Sequence, residues 1–449
     1  MKNHSQPKKI GIFGHVGTQN LGDETIIAAV IQNIRLRYPD AEIRAFTFNP
    51  EDTNLRHGIA SFPIRRLNGA ARPAVSLKQQ GLASSPANEP LAGRQGIKSD
   101  LKKIPLLYGA LKSVQKGLQV AWGPFKELGF LVRCYKNLKG IDLLIVAGSG
   151  QLTDHSGGPW AYPYTIFKWS VLARARGAKL AFVSIGTSWI NSSVSEFFLK
   201  SALSRADYRS CRDESSGHQV EELGIPGENI VVPDLAYSLK MPGIVARSGA
   251  PASSPIVGIN PIPFFHENFW HKGDKKLYDD YVVTQADFAS WLIHRGYNVV
   301  FFPTQLRADP PAIHDIIQTL ERQNPEISGQ LNVDPPIHSS EELISAMSRM
   351  DIVVAARYHG VLISHLLHKP VLAVSYHQKT TDLMARMGQS ECTIEIDACT
   401  LDALKSRFLF LESQTKIIEA ELERRVPLCR TVLDAQYERV FGLLEQTTA

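Results

Sequence analysis

From Ile352 to Thr381 the sequence contains not one Asp or Glu, although acidic residues number 44 in its 449 positions. Other scarcities set outer limits. Cysteine is rare: Cys134, Cys211, Cys392, Cys399 and Cys429 are odd in number, widely spaced and without a C-x-x-C pair. That pattern favours reduced thiols in a cytoplasmic protein over a disulfide scaffold or a zinc site. No apolar run approaches the roughly 18 residues needed to cross a bilayer. The N-terminal stretch GIFGHVGTQNLGD is broken by Gly, His and polar residues too early for a signal peptide. A net charge of only +5 gives no reason to expect a nucleic-acid partner.

What is present is ordinary soluble material, 44% hydrophobic and 21% charged, in a chain too long for one core. Short apolar runs alternate with longer helical patterns, which argues for parallel sheets with crossover helices. KKIGIFG (8–14), EIRAFTF (42–48), DLLIVAG (142–148), KLAFVSIG (179–186), YRSCRD (208–213) and ENIVVPD (228–234) predict one series of strands. IVGINP (256–261), YNVVFFP (297–303), DIVVAA (351–356) and VLAVSY (371–376) predict a second. Between them, residues 241–255 are rich in Pro, Gly, Ser and Ala and are expected to be a linker. The expected architecture is α/β: a Rossmann-like domain over 1–240, a second over 256–449 ending in one or two helices, and a cleft between them.

Residues 68–140 fit this scheme least and are expected to be an insertion. Its first part is Pro/Ala/Ser/Gly-rich. From Arg94 to Lys139 ten Lys or Arg face only Asp100 and Glu127. A basic amphipathic helix there could lie on an anionic membrane with Trp122, Phe125 and Phe130 toward lipid, or pack those residues into its own domain.

The acid-free stretch gathers Arg357, His359, His365, His368, Lys369, His377 and Lys379. Arg357 and His359 follow a strand directly, Gly360 permits a tight turn, and the helix start beyond offers free N–H groups to an anion. Arg357 adds a planar, permanent charge suited to carboxylate or phosphate, and Lys379 sits in the loop after the next strand. Each residue alone could be an ion pair or a structural histidine; the cluster predicts an anion site. His365 and His368 have no evident third partner, so no metal is expected. In the loop after the first strand, Asp23 could cap a helix with Glu24 complementing its dipole, or Asn20, Gly22, Asp23 and Glu24 could bind sugar hydroxyls. Gly148 and Gly150, flanking Ser149, are either a forced turn or a close approach to substrate.

The pattern R-Y-H-G-x-L-I-S-H-x-L-x-x-K-P-V-L-A-V-S-Y-x-x-K resembles the polysaccharide pyruvyl transferase family. GHVGTQNLGDETI (14–26), VAGSGQLTD (146–154) and CRDESS (211–216) resemble its other motifs, in the family's order, so the likeness spans residues 11 to about 390. The first loop is longer than the common form, Ser149 stands where glycine is frequent, and the 68–140 insertion has no evident counterpart. The resemblance implies a fold like that of two-domain (GT-B) glycosyltransferases. It implies transfer of the enolpyruvyl unit of phosphoenolpyruvate to a sugar as a cyclic ketal, with no cofactor. It assigns His359 as the catalytic imidazole and Arg212, Arg357 and Lys379 as donor ligands. The acceptor is expected to be a sugar of an envelope glycan, often lipid-linked, which would bring the chain to the inner face of the cytoplasmic membrane. Two alternatives stand beside it. One is a nucleotide-sugar glycosyltransferase, against which the missing carboxylate near the donor helix speaks. The other is a non-catalytic anion-binding protein.

Overall fold

The computed structural model describes residues 7–66, 125–155, 157–241, 254–270, 272–327 and 336–445. Most of the 68–140 insertion and of the 241–255 linker, including Trp122, lies outside the described residues.

Seven strands form the first sheet: β1 (Lys9–Phe13), β2 (Glu42–Thr47), β3 (Ala60–Pro63), β4 (Leu143–Ala147), β5 (Lys179–Ile185), β6 (Tyr208–Cys211) and β7 (Ile230–Val231). They lie in the order β3-β2-β1-β4-β5-β6-β7, and every pairing is parallel. Five more, β8 (Ile256–Asn260), β9 (Asn298–Phe301), β10 (Ile352–Ala355), β11 (Val371–Ser375) and β12 (Thr393–Glu395), form a second parallel sheet ordered β12-β11-β10-β8-β9. These are two doubly wound, Rossmann-like sheets, as the alternation of runs and helices predicts. All ten expected strands are present; β3 and β12, short edge strands, are additional.

Residue alternation explains why the strands read as continuous apolar runs. In β4, Leu143, Ile145 and Ala147 face one core while Leu144 and Val146 face another. In β5, Ala181 and Val183 share the first core and Leu180 and Phe182 the second. Period-two alternation therefore feeds two apolar layers, each covered by helices, so no polar face is needed. Trp169 anchors the second core, fully buried against Phe46 at 4.6 Å, with its indole N–H donating to the Ile64 carbonyl.

A single helix of 42 residues, Leu401–Gly442, closes the chain. At its start Phe408 packs on Phe288, Trp291 and Tyr297 of the second domain. At its end it has crossed to the first: Arg37 pairs with Glu438 at 2.9 Å, and the Lys8 ammonium donates to the Leu444 carbonyl. The helix over 125–137 keeps the end of the basic segment on the first domain. Phe130 turns inward beneath Lys168, while Phe125, Leu128 and Val132 are exposed.

Strand order positions the site. A doubly wound sheet opens a crevice where its order reverses, beyond the strand carboxyl ends. In the first sheet that point lies between β1 and β4, in the second between β8 and β10. The two crevices face each other, and the loops are joined by backbone: Leu21 N–H donates to Thr304 O at 2.8 Å and Leu306 N–H to Gln19 O at 2.9 Å.

Buried Gln436, in the long helix, bonds the hydroxyls of Ser184, Ser210 and Tyr208, bracing the β5 irregularity where Ser184 takes φ 48°. Gln436→Ala leaves buried hydroxyls of the first sheet without this partner. It is expected to lower unfolding free energy by about 1–3 kcal/mol, read as a reduced denaturation midpoint.

Candidate functional site

The loop after β1 ends in a tight cap. Asn20 Oδ1 accepts from Gly22 N–H at 3.1 Å, and its Nδ2 donates to Asp23 at 2.8 Å. The capping residue of the helix Leu21–Arg37 is thus Asn20 and not Asp23. Asp23 is buried yet held below the usual carboxylate range: burial opposes its charge, but His15, His359 and the Ser149 hydroxyl outweigh it. Glu24 faces elsewhere, accepting from Gly17 N–H at 3.0 Å and pairing with His57 at 2.8 Å, and so braces the loop from behind.

Beyond β4, Gly148 and Ser149 take φ 47° and 60°, and the Ser149 carbonyl accepts from Gly186 N–H at 2.8 Å. This backbone turns Ser149 and Gly150 to the cleft, while Gly148 packs against Ile26. Arg212 follows β6 and is almost fully buried. Its guanidinium lies 3.3 Å from both Asp213 and Asp234 and 4.5 Å above the Tyr358 ring. A Cβ on Gly186 would lie 2.7 Å from Arg212 Nη2, so glycine is what admits the guanidinium. Burial works against the charge, but Tyr358, Asp234 and Asp213 outweigh it and keep the arginine protonated.

The second sheet supplies the other wall. Arg357 precedes the helix Tyr358–Leu366 and donates Nε–H and Nη2–H to Asp309 at 3.0 and 2.6 Å. Asp309 is fully buried and also accepts from the N–H groups of Thr304 and Gln305. His359 is buried with Nε2 unbonded, 3.9 Å from Asp234; burial pushes its pKa down, against the pull of Asp234 and Asp23. Lys379 is likewise pushed down, chiefly by burial, and has no ion pair among the described residues. Tyr376 lies beside Arg357 and Lys379; burial raises its pKa, but those cations bring it below the ordinary phenol value.

These groups line one cavity of about 200 Å³: His15, Asn20, Asp23, Ser149, Gly150, Arg212, Thr304, Gln305, Arg357, Tyr358, His359, Tyr376 and Lys379. The structure brings together seven residues singled out in the sequence: Asn20, Asp23, Gly150, Arg212, Arg357, His359 and Lys379. Gly22 lies beneath the imidazole of His359, and Glu24 is outside. The acid-free run does not make an acid-free site. Asp309, Asp213 and Asp234 arrive from other segments and stand behind the guanidinium groups, and Asp23 stands on the wall itself. His365 lies elsewhere, buried with Nδ1 3.0 Å from the Tyr237 hydroxyl. Sequence reasoning passed over His15, Tyr376, Asp234 and Asp309. Asp234, at the carboxyl end of ENIVVPD, carried a positional signal; Asp309, at a helix start distant in sequence, carried none.

A cradle of one buried and one half-buried arginine and a lysine, with Arg212 Nη2 and His359 Nε2 both unbonded, offers charge and donors to a small anion. In comparisons with known proteins, the family model described as polysaccharide pyruvyl transferase matches residues 20–378. No curated protein sequence matches the chain. Among solved structures, a putative UDP-N-acetylglucosamine 2-epimerase from Listeria monocytogenes superposes with TM-score 0.55 at 11% identity, over 99% of this chain and 98% of that one. The UDP-GlcNAc 2-epimerase from Neisseria meningitidis gives 0.53 at 13%, over 98% and 100%. A glycosyltransferase from Rickettsia africae gives 0.52 at 10%, over 99% and 100%. At such identities the likeness is one of fold, the GT-B arrangement of two facing Rossmann-like domains.

The packing of His359 on Gly22 has a direct test. A Cβ at position 22 would lie 2.1 Å from His359 Nδ1. Gly22→Ala is expected to cost about 1–3 kcal/mol of stability. In a His359→Ala background most of that cost should vanish, giving a coupling energy in a double-mutant denaturation cycle.

Proposed function

The chain belongs to the polysaccharide pyruvyl transferase family, and we propose that its cavity binds phosphoenolpyruvate and transfers the enolpyruvyl unit to a sugar of an exopolysaccharide or cell-envelope glycan. The product is a pyruvate ketal, with inorganic phosphate released. The observation that carries this reading is the pair of unbonded, buried nitrogens, Arg212 Nη2 and His359 Nε2, in a cavity also walled by Arg357 and Lys379. A cavity of about 200 Å³ lies below the roughly 300–1,000 Å³ typical of drug-sized ligands, which favours a compact donor over a nucleotide sugar.

Phosphoenolpyruvate carries a phosphate and a carboxylate on one enol. Arg212 and Arg357, held rigidly by their own carboxylates, present preorganised donors to those two groups, and Lys379 adds a point charge. A sugar hydroxyl adds to the enol C2 while the methylene C3 takes a proton and becomes a methyl group. Departure of phosphate then opens C2 to a second hydroxyl, which closes the ring. Two hydroxyl protons leave the acceptor: one balances the proton gained at C3, the other leaves with phosphate. His359 is suited to one of these transfers, because an imidazole exchanges protons near neutral pH. Burial lowers its proton affinity, and a bound negative donor would raise it. On this reading the acceptor is a lipid-linked sugar, met at the inner face of the cytoplasmic membrane through residues 94–139. Of that segment, Lys126, Arg133 and Lys136 stand exposed beside Leu128 and Val132.

Phosphoenolpyruvate is expected to raise the melting temperature in proportion to its occupancy, and UDP- or GDP-sugars to leave it unchanged; the reverse ranking would sink the donor assignment. Arg357→Lys should weaken that stabilisation, because an ammonium cannot replace the fork on Asp309 and the donor together. His359→Asn should keep it while phosphate release falls by roughly 10²–10⁴-fold. Finally, binding to vesicles containing anionic lipid should be strong at low salt and lost at high salt, as ions screen the lysines. Equal binding at both would exclude electrostatic attachment.

A further inference from the structure

His15 comes from the first domain, as His359 comes from the second, and it has a carboxylate partner in Asp23. It stands at the carboxyl end of β1, at the reversal point of the first sheet, and lines the same cavity as Arg212, Arg357 and Lys379. Its Nδ1 lies 3.3 Å from Asp23 Oδ2. Asp23 is 4% exposed and fixed by the Asn20 amide on the same oxygen, so the carboxylate has little freedom to turn away. Phe48 meets the His15 ring edge-on at 4.9 Å and Tyr162 lies at 5.8 Å, which sets the ring plane. The side chain nevertheless remains 40% exposed, and Nε2 makes no hydrogen bond among the described residues. One nitrogen is thus anchored to a buried anion and the other is open to the cleft.

From this arrangement we infer that His15 is the general base of the acceptor side, taking the sugar hydroxyl proton on Nε2 while Asp23 holds Nδ1–H and stabilises the imidazolium. The inference rests on the transfer proposed above and divides its labour. The hydroxyl O–H bond breaks toward His15 as the sugar oxygen bonds to C2, and the C2=C3 pair takes a proton from His359 of the second domain. Phosphate then leaves, and the proton held by His15 departs with it. The second hydroxyl returns its proton to His359. Two imidazoles, one per domain, suit an addition in which base and acid must act at different atoms. Asp23 is a positioning residue: it does not reach the reacting atoms but selects the tautomer that leaves Nε2 unprotonated.

The test uses the full chain. His15→Gln is expected to retain stabilisation by phosphoenolpyruvate while lowering phosphate release by roughly 10²–10⁴-fold. Release is followed with methyl β-D-galactopyranoside as acceptor and, without sugar, as the slow addition of water to the same carbon. External imidazole should partly restore His15→Ala. The acid limb of the pH–rate profile should be lost in His15→Gln. The groups facing His15 are Asp23, Tyr162, Arg65 above the Phe48 and Tyr162 rings, and Arg212, Arg357, Lys379 and His359 across the cavity. Nitrogen-15 spectra of the His15 ring should show the Nδ1–H tautomer, converting to a mixture in Asp23→Asn. Wild-type release rates in His15→Gln would overturn the inference, as would an unchanged tautomer in Asp23→Asn. Loss of phosphoenolpyruvate stabilisation in His15→Gln would make His15 a donor ligand instead. Failure of phosphoenolpyruvate to stabilise the wild type would count against the donor, a separate result.

Discussion

His359 reaches across from the second sheet and lies against Gly22, in the first turn of the first domain's opening helix, where any side chain beyond hydrogen would overlap its ring. The rest of the site depends on that contact. It brings the imidazole within 3.9 Å of Asp234 and within the field of Asp23, both residues of the first domain. It also seats Tyr358 beneath the Arg212 guanidinium, so a residue of the second domain's helix forms the floor for a cation of the first. Neither sheet contains a complete site.

Charge in the cleft is arranged in depth. The cations stand at the cavity wall and most of their carboxylates stand behind them, at 2.6 to 3.3 Å. A bare arginine cluster would repel itself and lose hydration on burial; one backed by anions keeps its charge and its geometry before any ligand arrives. Lys379, without such backing among the described residues, is the cation whose charge depends most on what enters.

Much of this was legible in the sequence, and the divide has physical causes. β1, β4, β5, β8, β10 and β11 announced themselves as runs of buried aliphatic residues, because burial on both faces removes polar interruption. β3, with all its residues at least partly exposed, and β12, only three residues long, gave no comparable signal. Arg357, His359 and Lys379 were visible because they follow strands directly, where the fold converges. Asp309 was not, because it reaches Arg357 through tertiary packing across 48 positions of sequence. The composition of one segment therefore described one wall and could not describe the cavity. Asp23 shows a finer limit: its motif marked it as important, but only the fold distinguishes a cap from a partner of His15.

The helix Leu401–Gly442 has a consequence for how such a cleft could open. The chain passes between the domains again in this helix, whose start packs on Phe288 and Trp291 of the second domain and whose end pairs with Arg37 of the first. A helix held at both ends resists sliding of the halves along its axis and leaves bending as the easier motion. Pro427 lies between Phe408 and Tyr437, the anchors at either end, and its missing N–H removes one rung from the helical ladder at that point. A bend there would draw His359 off Gly22 and break the Leu21–Thr304 and Leu306–Gln19 bonds together, opening the cavity in one motion.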